Sequence, residues 1–137
     1  MQIKIADLGF ARELKVNEIA ETILGTPLVM APEVLCGHKY NHKADVWSLG
    51  IVFFELLTGF MPFTGRNRDD LKKNILDGTY KMPKKLNLRL SCISFINSCL
   101  QSDPELRYSW EQLVNDPYLN GTAIDYKNDF MMSMSYS

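Results

Sequence analysis

The stretch between Asp45 and Gly59 constrains the fold of this chain more than any other part of it. Asp45 is a residue type that caps helix N-termini, and Gly59 is one that ends helices in the left-handed conformation. The nine apolar side chains between them cover every face of a helix, which predicts burial on all sides. The longest unbroken apolar run, residues 51–54, is too short to span a membrane. We therefore expect a soluble domain built around this helix.

The bulk composition is that of an ordinary folded protein. The 137 residues suffice for one modest domain, with 46% apolar and 23% charged residues. A net charge of −1 without an evident basic stripe does not favour nucleic acid as a partner. Three widely spread cysteines and an N-terminus without an apolar signal core are typical of a reduced protein of the cytoplasm or the nucleus. The composition leaves the oligomeric state open.

Three further helices are predicted after the first. Residues 67–77 carry acidic residues in the first turn and a glycine after the last, and residues from 90 to about 101 repeat apolar side chains on one face. A fourth helix starts at Ser109, which forms a capping-box pattern with Gln112, and it ends before Pro117. The predicted fold is therefore mainly α-helical.

The N-terminal residues form a different pattern. Apolar Ile3 and Ile5 alternate with polar Gln2 and Lys4, which predicts a short β-strand that ends at Asp7, with Gly9 allowing an unusual turn. A carboxylate placed just after a strand can reach a Mg²⁺ that bridges the phosphates of ATP. The string Asp-Leu-Gly is by itself weak evidence, because ordinary turns often contain Asp and Gly.

Longer strings carry a family resemblance. Ile-Lys-Ile-Ala-Asp-Leu-Gly-Phe-Ala-Arg at residues 3–12 is similar to the metal-binding segment of Ser/Thr protein kinases, with Leu8 in place of the commoner phenylalanine. Gly-Thr-Pro-Leu-Val-Met-Ala-Pro-Glu at residues 25–33 resembles the kinase loop that holds the substrate residue following the phosphoacceptor. Tyr-Asn-His-Lys-Ala-Asp-Val-Trp-Ser-Leu-Gly at residues 40–50 resembles the start of the large buried C-lobe helix. The chain thus resembles a eukaryotic Ser/Thr kinase C-lobe with its activation segment.

The resemblance implies roles for three residues near the N-terminus. Asp7 would bind the Mg²⁺ that accompanies ATP, and Thr26 would contact the protein substrate. Thr22 lies where kinases often carry an activating phosphate, which would order the loop by pairing with arginines. An ordinary loop threonine is the alternative at Thr22.

The resemblance also implies structural roles for three residues. Glu33 would form a buried ion pair with Arg107, although separate charges of this kind are usually solvated at the surface. Asp45 would cap its own helix and would also accept a hydrogen bond from the backbone of the catalytic loop. The resemblance extends over residues 1–118, which it identifies as one partial kinase domain, followed by a tail at residues 119–137.

The chain contains only some of the parts that phosphoryl transfer needs. Its sequence has no glycine-rich loop, no lysine-bearing Val-Ala-Ile-Lys strand, and no His-Arg-Asp loop with the base and the second metal ligand. None of the expected catalytic residues is therefore present, and we predict that the chain alone is inactive. We also predict exposed apolar surface and marginal folding.

Two hypotheses about function stay open. In the first, the chain is a piece of an ATP- and Mg²⁺-dependent kinase that phosphorylates Ser and Thr hydroxyls of proteins. In the second, it is a non-catalytic kinase-like interaction module that uses the groove around residues 67–77. Within the kinases, its strings are most similar to the autophagy-initiating group, although calcium- and energy-regulated kinases use similar ones.

One further pattern invites a metal site. Cys36, His38 and His42 have the spacing Cys-x-His-x-x-x-His. This spacing lacks a fourth ligand and matches no established zinc pattern. We therefore interpret these residues as a surface loop.

Overall fold

The computed structural model describes residues 27–38 and 41–121, and within these residues the secondary structure consists of helices and turns without a β-strand. The predicted strand at residues 3–6 lies outside the described residues. The mainly α-helical fold is confirmed. The five α-helices of the described part are α1 (Pro32–Leu35), α2 (His42–Thr58), α3 (Arg68–Asp77), α4 (Leu90–Cys99) and α5 (Trp110–Val114), with single 3-10 turns at Pro27–Val29 and Lys84–Leu86.

The ends of α2 are set by Asn41 and Gly59. Asn41 has an extended backbone, and its side chain accepts a hydrogen bond of 2.9 Å from the amide of Lys43. The prediction that Asp45 caps this helix is therefore wrong, because Asn41 satisfies a first-turn amide and the helix starts at His42. Asp45 lies in the first turn, where its negative charge interacts favourably with the positive end of the helix dipole. The predicted end is confirmed, since Gly59 has a φ of 76° and donates to Glu55.

The faces of α2 are not all buried. Trp47 and Ile51 are fully buried and Phe54 is nearly so. In contrast, Leu49, Val52 and Leu56 keep 38%, 44% and 76% of their surface exposed. The predicted burial on all sides is therefore wrong for one stripe. Apolar composition indicates which faces can be buried, whereas burial also needs a neighbouring element to cover each face.

The other helix boundaries follow local sequence signals. α3 is capped by Asn67, which accepts a hydrogen bond of 2.8 Å from the amide of Asp70, and it ends at Gly78 in the left-handed conformation. α5 begins after Ser109, which forms the predicted capping box with Gln112. These predicted helices are confirmed, because each end depends on residues only a few positions apart.

The core lies between α2 and the elements that follow it. The rings of Trp47 and Phe63 stack with centroids 5.3 Å apart, and Tyr80 packs edge-on against Phe54 and Phe63. α2 and α4 approach closely at Gly50, where an added Cβ would lie 2.7 Å from Cys99 Cβ. α2 is therefore the element on which the rest of the described part assembles.

Candidate functional site

A buried ion pair joins α1 to the loop before α5. Arg107 donates from Nη1 to Glu33 Oε1 at 2.7 Å and from Nη2 to Glu33 Oε2 at 2.9 Å. Glu33 is buried and Arg107 is 1% exposed. The structure thus brings together the two residues that the family resemblance implied. Two parallel hydrogen bonds fix the orientation of both groups. A single contact between point charges would leave that orientation free.

The remaining donors of Arg107 are also used. Its Nη1 bonds the carbonyl of Lys43 at 2.9 Å, its Nε bonds that of Gln101 at 2.9 Å, and its Nη2 bonds that of Ser102 at 3.4 Å. The guanidinium also lies 5.1 Å from the ring centroid of Trp47. All five N–H donors of the guanidinium therefore have acceptors, which offsets the cost of burying its charge.

A second contact ties the start of α2 to the same loop. Lys43 donates from Nζ to the carbonyls of Pro104 and Glu105, at 2.7 and 3.4 Å. Because Arg107 in turn bonds the carbonyl of Lys43, the two basic residues link α2 and the loop in both directions. Sequence reasoning missed this contact, since a lysine next to a helix start carries no local signal for partners more than sixty residues away.

The segment from residue 27 to Glu33 lies on α2. Ser48 of α2 donates to the carbonyl of Val29 at 2.9 Å, and Leu28 and Met30 are half-buried against the core. Ala31 is buried, and Pro32 opens the short helix α1, where its missing amide costs nothing. The segment is thus held at Val29 by Ser48 and at Glu33 by Arg107.

A comparison with known protein families shows which family has this geometry. The family described as protein kinase domain matches residues 1–119 of the chain. The chain belongs to the protein kinase family. Its Glu33–Arg107 pair and the segment held on α2 are accordingly parts of a kinase C-lobe.

Individual relatives agree with this assignment. The kinase chain is 42% identical over 120 residues to the serine/threonine-protein kinase ATG1c of Arabidopsis thaliana, covering 86% of the chain and 16% of the relative. It is 43% identical over 119 residues to the ATG1 kinase of Debaryomyces hansenii, covering 85% of the chain and 14% of the relative. The chain thus spans about a sixth of the length of the curated relatives it matches.

A solved structure shares the fold. The crystal structure of the Rad53 kinase domain and SCD2 in complex with AMPPNP matches with a TM-score of 0.62 and 34% sequence identity. The match covers 67% of this chain and 38% of that chain. The kinase C-lobe fold expected from the sequence is therefore confirmed.

Several predicted site residues are not described by the structure. Asp7, Thr22 and Thr26 all lie outside the described residues, so their metal-binding, regulatory and substrate roles stay predictions. Asp45 is described, and its exposed side chain lies in the first turn of α2. Its implied bond to a catalytic loop also stays a prediction.

The remaining sequence patterns lie at the surface. Cys36, His38 and His42 are exposed, and the residues that the structure describes contain no group of three or more His, Cys, Asp or Glu that could hold a metal ion. Among the helices in the described ranges, none is both long and apolar enough to cross a membrane.

Two weak acids of the kinase C-lobe, the buried Cys99 and the half-buried Tyr80, have raised pKa values. Burial, with a smaller contribution from the charge of Asp116, raises the pKa of the Cys99 thiol to about 12. Burial also raises the pKa of Tyr80, with the charge of Cys99 adding to the effect. The Tyr80 hydroxyl donates to Asn97 Oδ1 at 2.6 Å and so joins the loop after α3 to α4. Both groups are therefore neutral in the folded protein near pH 7.

Proposed function

We propose that this chain forms part of an ATP-dependent protein kinase that transfers the γ-phosphate of ATP to Ser or Thr hydroxyls of protein substrates. The observation that carries the proposal is the bidentate Glu33–Arg107 pair, which fixes α1 to the loop before α5, while Ser48 holds the segment before α1 on α2. In the kinase family this segment receives the substrate residue that follows the phosphoacceptor. The identity of about 40% to kinases named for Ser/Thr specificity supports the same choice of hydroxyl.

This chain would supply some of the groups that phosphoryl transfer needs, and its sequence lacks others. Phosphoryl transfer depends on positioning and on stabilising charge. Asp7 is the residue proposed to bind Mg²⁺, which supplies charge stabilisation at the phosphates of ATP when bound. Thr26 is proposed to contact the substrate. The sequence has no His-Arg-Asp base and no phosphate-binding lysine strand, so a polypeptide of these residues alone is expected to show no turnover.

We also propose how the kinase is regulated and where in the cell it acts. A phosphate on Thr22 would place about two negative charges beside the substrate segment and would order it by pairing with arginines. The free cysteines of the described part, two of them buried, suit the reducing conditions of the cytoplasm or the nucleus.

A second function is favoured by an open groove beside α3. The groove has a volume of about 560 Å³ and lies between residues 64–66 and the exposed face of the helix. Arg66, Asp70 and Lys73 give it charges of both signs. A non-catalytic interaction module would use this groove to bind a polar partner segment.

The first experiment is to sequence the transcript upstream of Met1 and to purify the full-length product. We expect an open frame with a His-Arg-Asp string and a lysine-bearing strand. The product should incorporate phosphate from ATP into Ser or Thr of a generic protein substrate, and Asp7→Ala should abolish this incorporation. A stop codon immediately upstream, or incorporation unchanged by Asp7→Ala, would contradict the proposal.

A further inference from the structure

Ser48 makes a hydrogen bond that its position in a helix does not require. A serine inside a helix commonly bonds the carbonyl four residues earlier, as Ser98 on α4 does with Ser94 at 3.0 Å. Ser48 lies 3.2 Å from the corresponding carbonyl of Ala44, but its hydroxyl is closer, at 2.9 Å, to the carbonyl of Val29. The shorter contact leaves the helix and reaches the 3-10 turn Pro27–Val29.

This contact holds the backbone of Val29 while leaving its side chain outside. Val29 is 42% exposed, whereas Leu28 and Met30 on either side of it are half-buried against the core. Four residues further on, Glu33 is fixed by Arg107. The segment from Val29 to Glu33 is therefore anchored at both ends, and the exposed Val29 side chain extends from a backbone that Ser48 holds in place.

We propose that Ser48 is a positioning residue that sets how this turn receives the substrate residue following the phosphoacceptor. The inference rests on the proposed kinase function. It states that the Ser48 hydroxyl on α2 helps to determine which substrate residue is preferred after the phosphoacceptor. Without the hydroxyl, the Val29 carbonyl would lose its partner on α2 and would turn toward water. The Val29 side chain would then present several orientations instead of one, which weakens binding of the substrate more than the chemical step.

The first test measures the anchor itself. Amide hydrogen exchange followed by mass spectrometry compares the wild-type chain with Ser48→Ala, Ser48→Thr and the control Ser98→Ala. We expect Ser48→Ala to speed exchange in the segment from Val29 to Leu35 by about fivefold, the effect of one lost hydrogen bond. Ser48→Thr keeps a hydroxyl and should exchange like the wild type. Equal exchange in all four proteins in this segment would overturn the proposal.

The second test measures substrate recognition in the full-length product. We expect Ser48→Ala to raise KM for a Ser peptide by about fivefold, with kcat within about twofold of wild type. It should also flatten the preference at the position after the phosphoacceptor in a peptide library, and Ser48→Thr should restore that preference. Unchanged KM and preference, or a loss confined to kcat, would overturn the role of Ser48. An inactive wild-type protein would instead overturn the proposed function, while the exchange result would still decide the anchor.

Discussion

Glu33 and Arg107 are 74 positions apart in the sequence and form a bidentate ion pair with N–O distances of 2.7 and 2.9 Å. Every other donor of the arginine is bonded to a backbone carbonyl, including that of Lys43 at the start of α2. The pair therefore joins α1, α2 and the loop before α5 at one buried point. Its loss would leave an unpaired charge where three parts of the fold meet.

Removing one partner of this pair should destabilise the fold strongly. We expect Glu33→Gln or Arg107→Met to lower the free energy of unfolding by about 3–5 kcal/mol, because the remaining charge stays buried without its partner. Urea denaturation measures the loss. The control is Arg66→Ala, which breaks the Arg66–Asp70 pair, where the arginine side chain is 92% exposed. That change should cost less than about 1 kcal/mol, and equal losses in both pairs would contradict the role assigned to burial.

Gly50→Ala should destabilise the protein although alanine is the better helix former. In an exposed helix this change stabilises by about 1 kcal/mol. At Gly50 the new Cβ would lie 2.7 Å from Cys99 Cβ and 2.9 Å from Leu100 Cδ2, so α2 and α4 must separate. We expect a net loss of about 1–3 kcal/mol in thermal or urea unfolding. A gain in stability would show that the two helices can move apart freely.

The three cysteines should differ sharply in reactivity. Cys36 is exposed, whereas Cys92 and Cys99 are buried. Titration of the native protein with a chromogenic disulfide at pH 8 should label one thiol quickly and two slowly. Cys36→Ser should remove the fast phase, and denaturant should make the remaining thiols react together. A fast phase that survives Cys36→Ser would contradict the observed burial.

The stability of the fold should fall at alkaline pH in part through Cys99. Its pKa is raised from 9.0 to about 12 in the folded protein, so the thiol is protonated in both folded and unfolded states below about pH 9. The contribution of this thiol to the free energy of unfolding is therefore fully present below about pH 9. It is lost as pH rises from 9 toward 12, because the thiol ionises first in the unfolded state. At pH 10.5 the loss is about 2 kcal/mol.

The pKa values of Tyr80 and Tyr108 are also raised, so these groups lower the stability at alkaline pH as well. The effect of Cys99 must therefore be measured by comparison with a variant that lacks its thiol. Urea unfolding of the wild type and of Cys99→Ala at pH 8 and pH 10.5 provides that difference. We expect the wild type to lose more stability between the two pH values than Cys99→Ala does. Equal losses would show that the thiol does not contribute.

The exposed stripe of α2 should bind hydrophobic dyes. Leu49, Val52 and Leu56 lie on one face of the helix and form an exposed apolar stripe. We expect the chain to enhance the fluorescence of anilinonaphthalene sulfonate, and Val52→Ser with Leu56→Ser to reduce it without loss of helix. The matched change Ile51→Ser, at a fully buried position, should unfold the protein. Fluorescence that the chain does not enhance, or that the double substitution leaves unchanged, would contradict this prediction.

Local sequence determined much of the helical framework. The capping box of Ser109 and Gln112 and the glycine at residue 59 act over a few residues, so their patterns predicted helix ends that the structure confirms. The strings at residues 3–12 and 25–33 also predicted the kinase family, which the match over residues 1–119 confirms. Local hydrogen bonding and a family's characteristic strings are both present in the sequence itself.

Tertiary structure decided what local patterns left open. Asn41 and Asp45 are both good capping residues, and only the backbone geometry shows that Asn41 caps α2. The exposed stripe of α2 depends on which elements lie beside the helix, which its composition does not state. The bonds from Lys43 to Pro104 and from Ser48 to Val29 join distant residues through single polar atoms. Such contacts have no periodicity in the sequence, because they arise only when packing has brought the two backbones together.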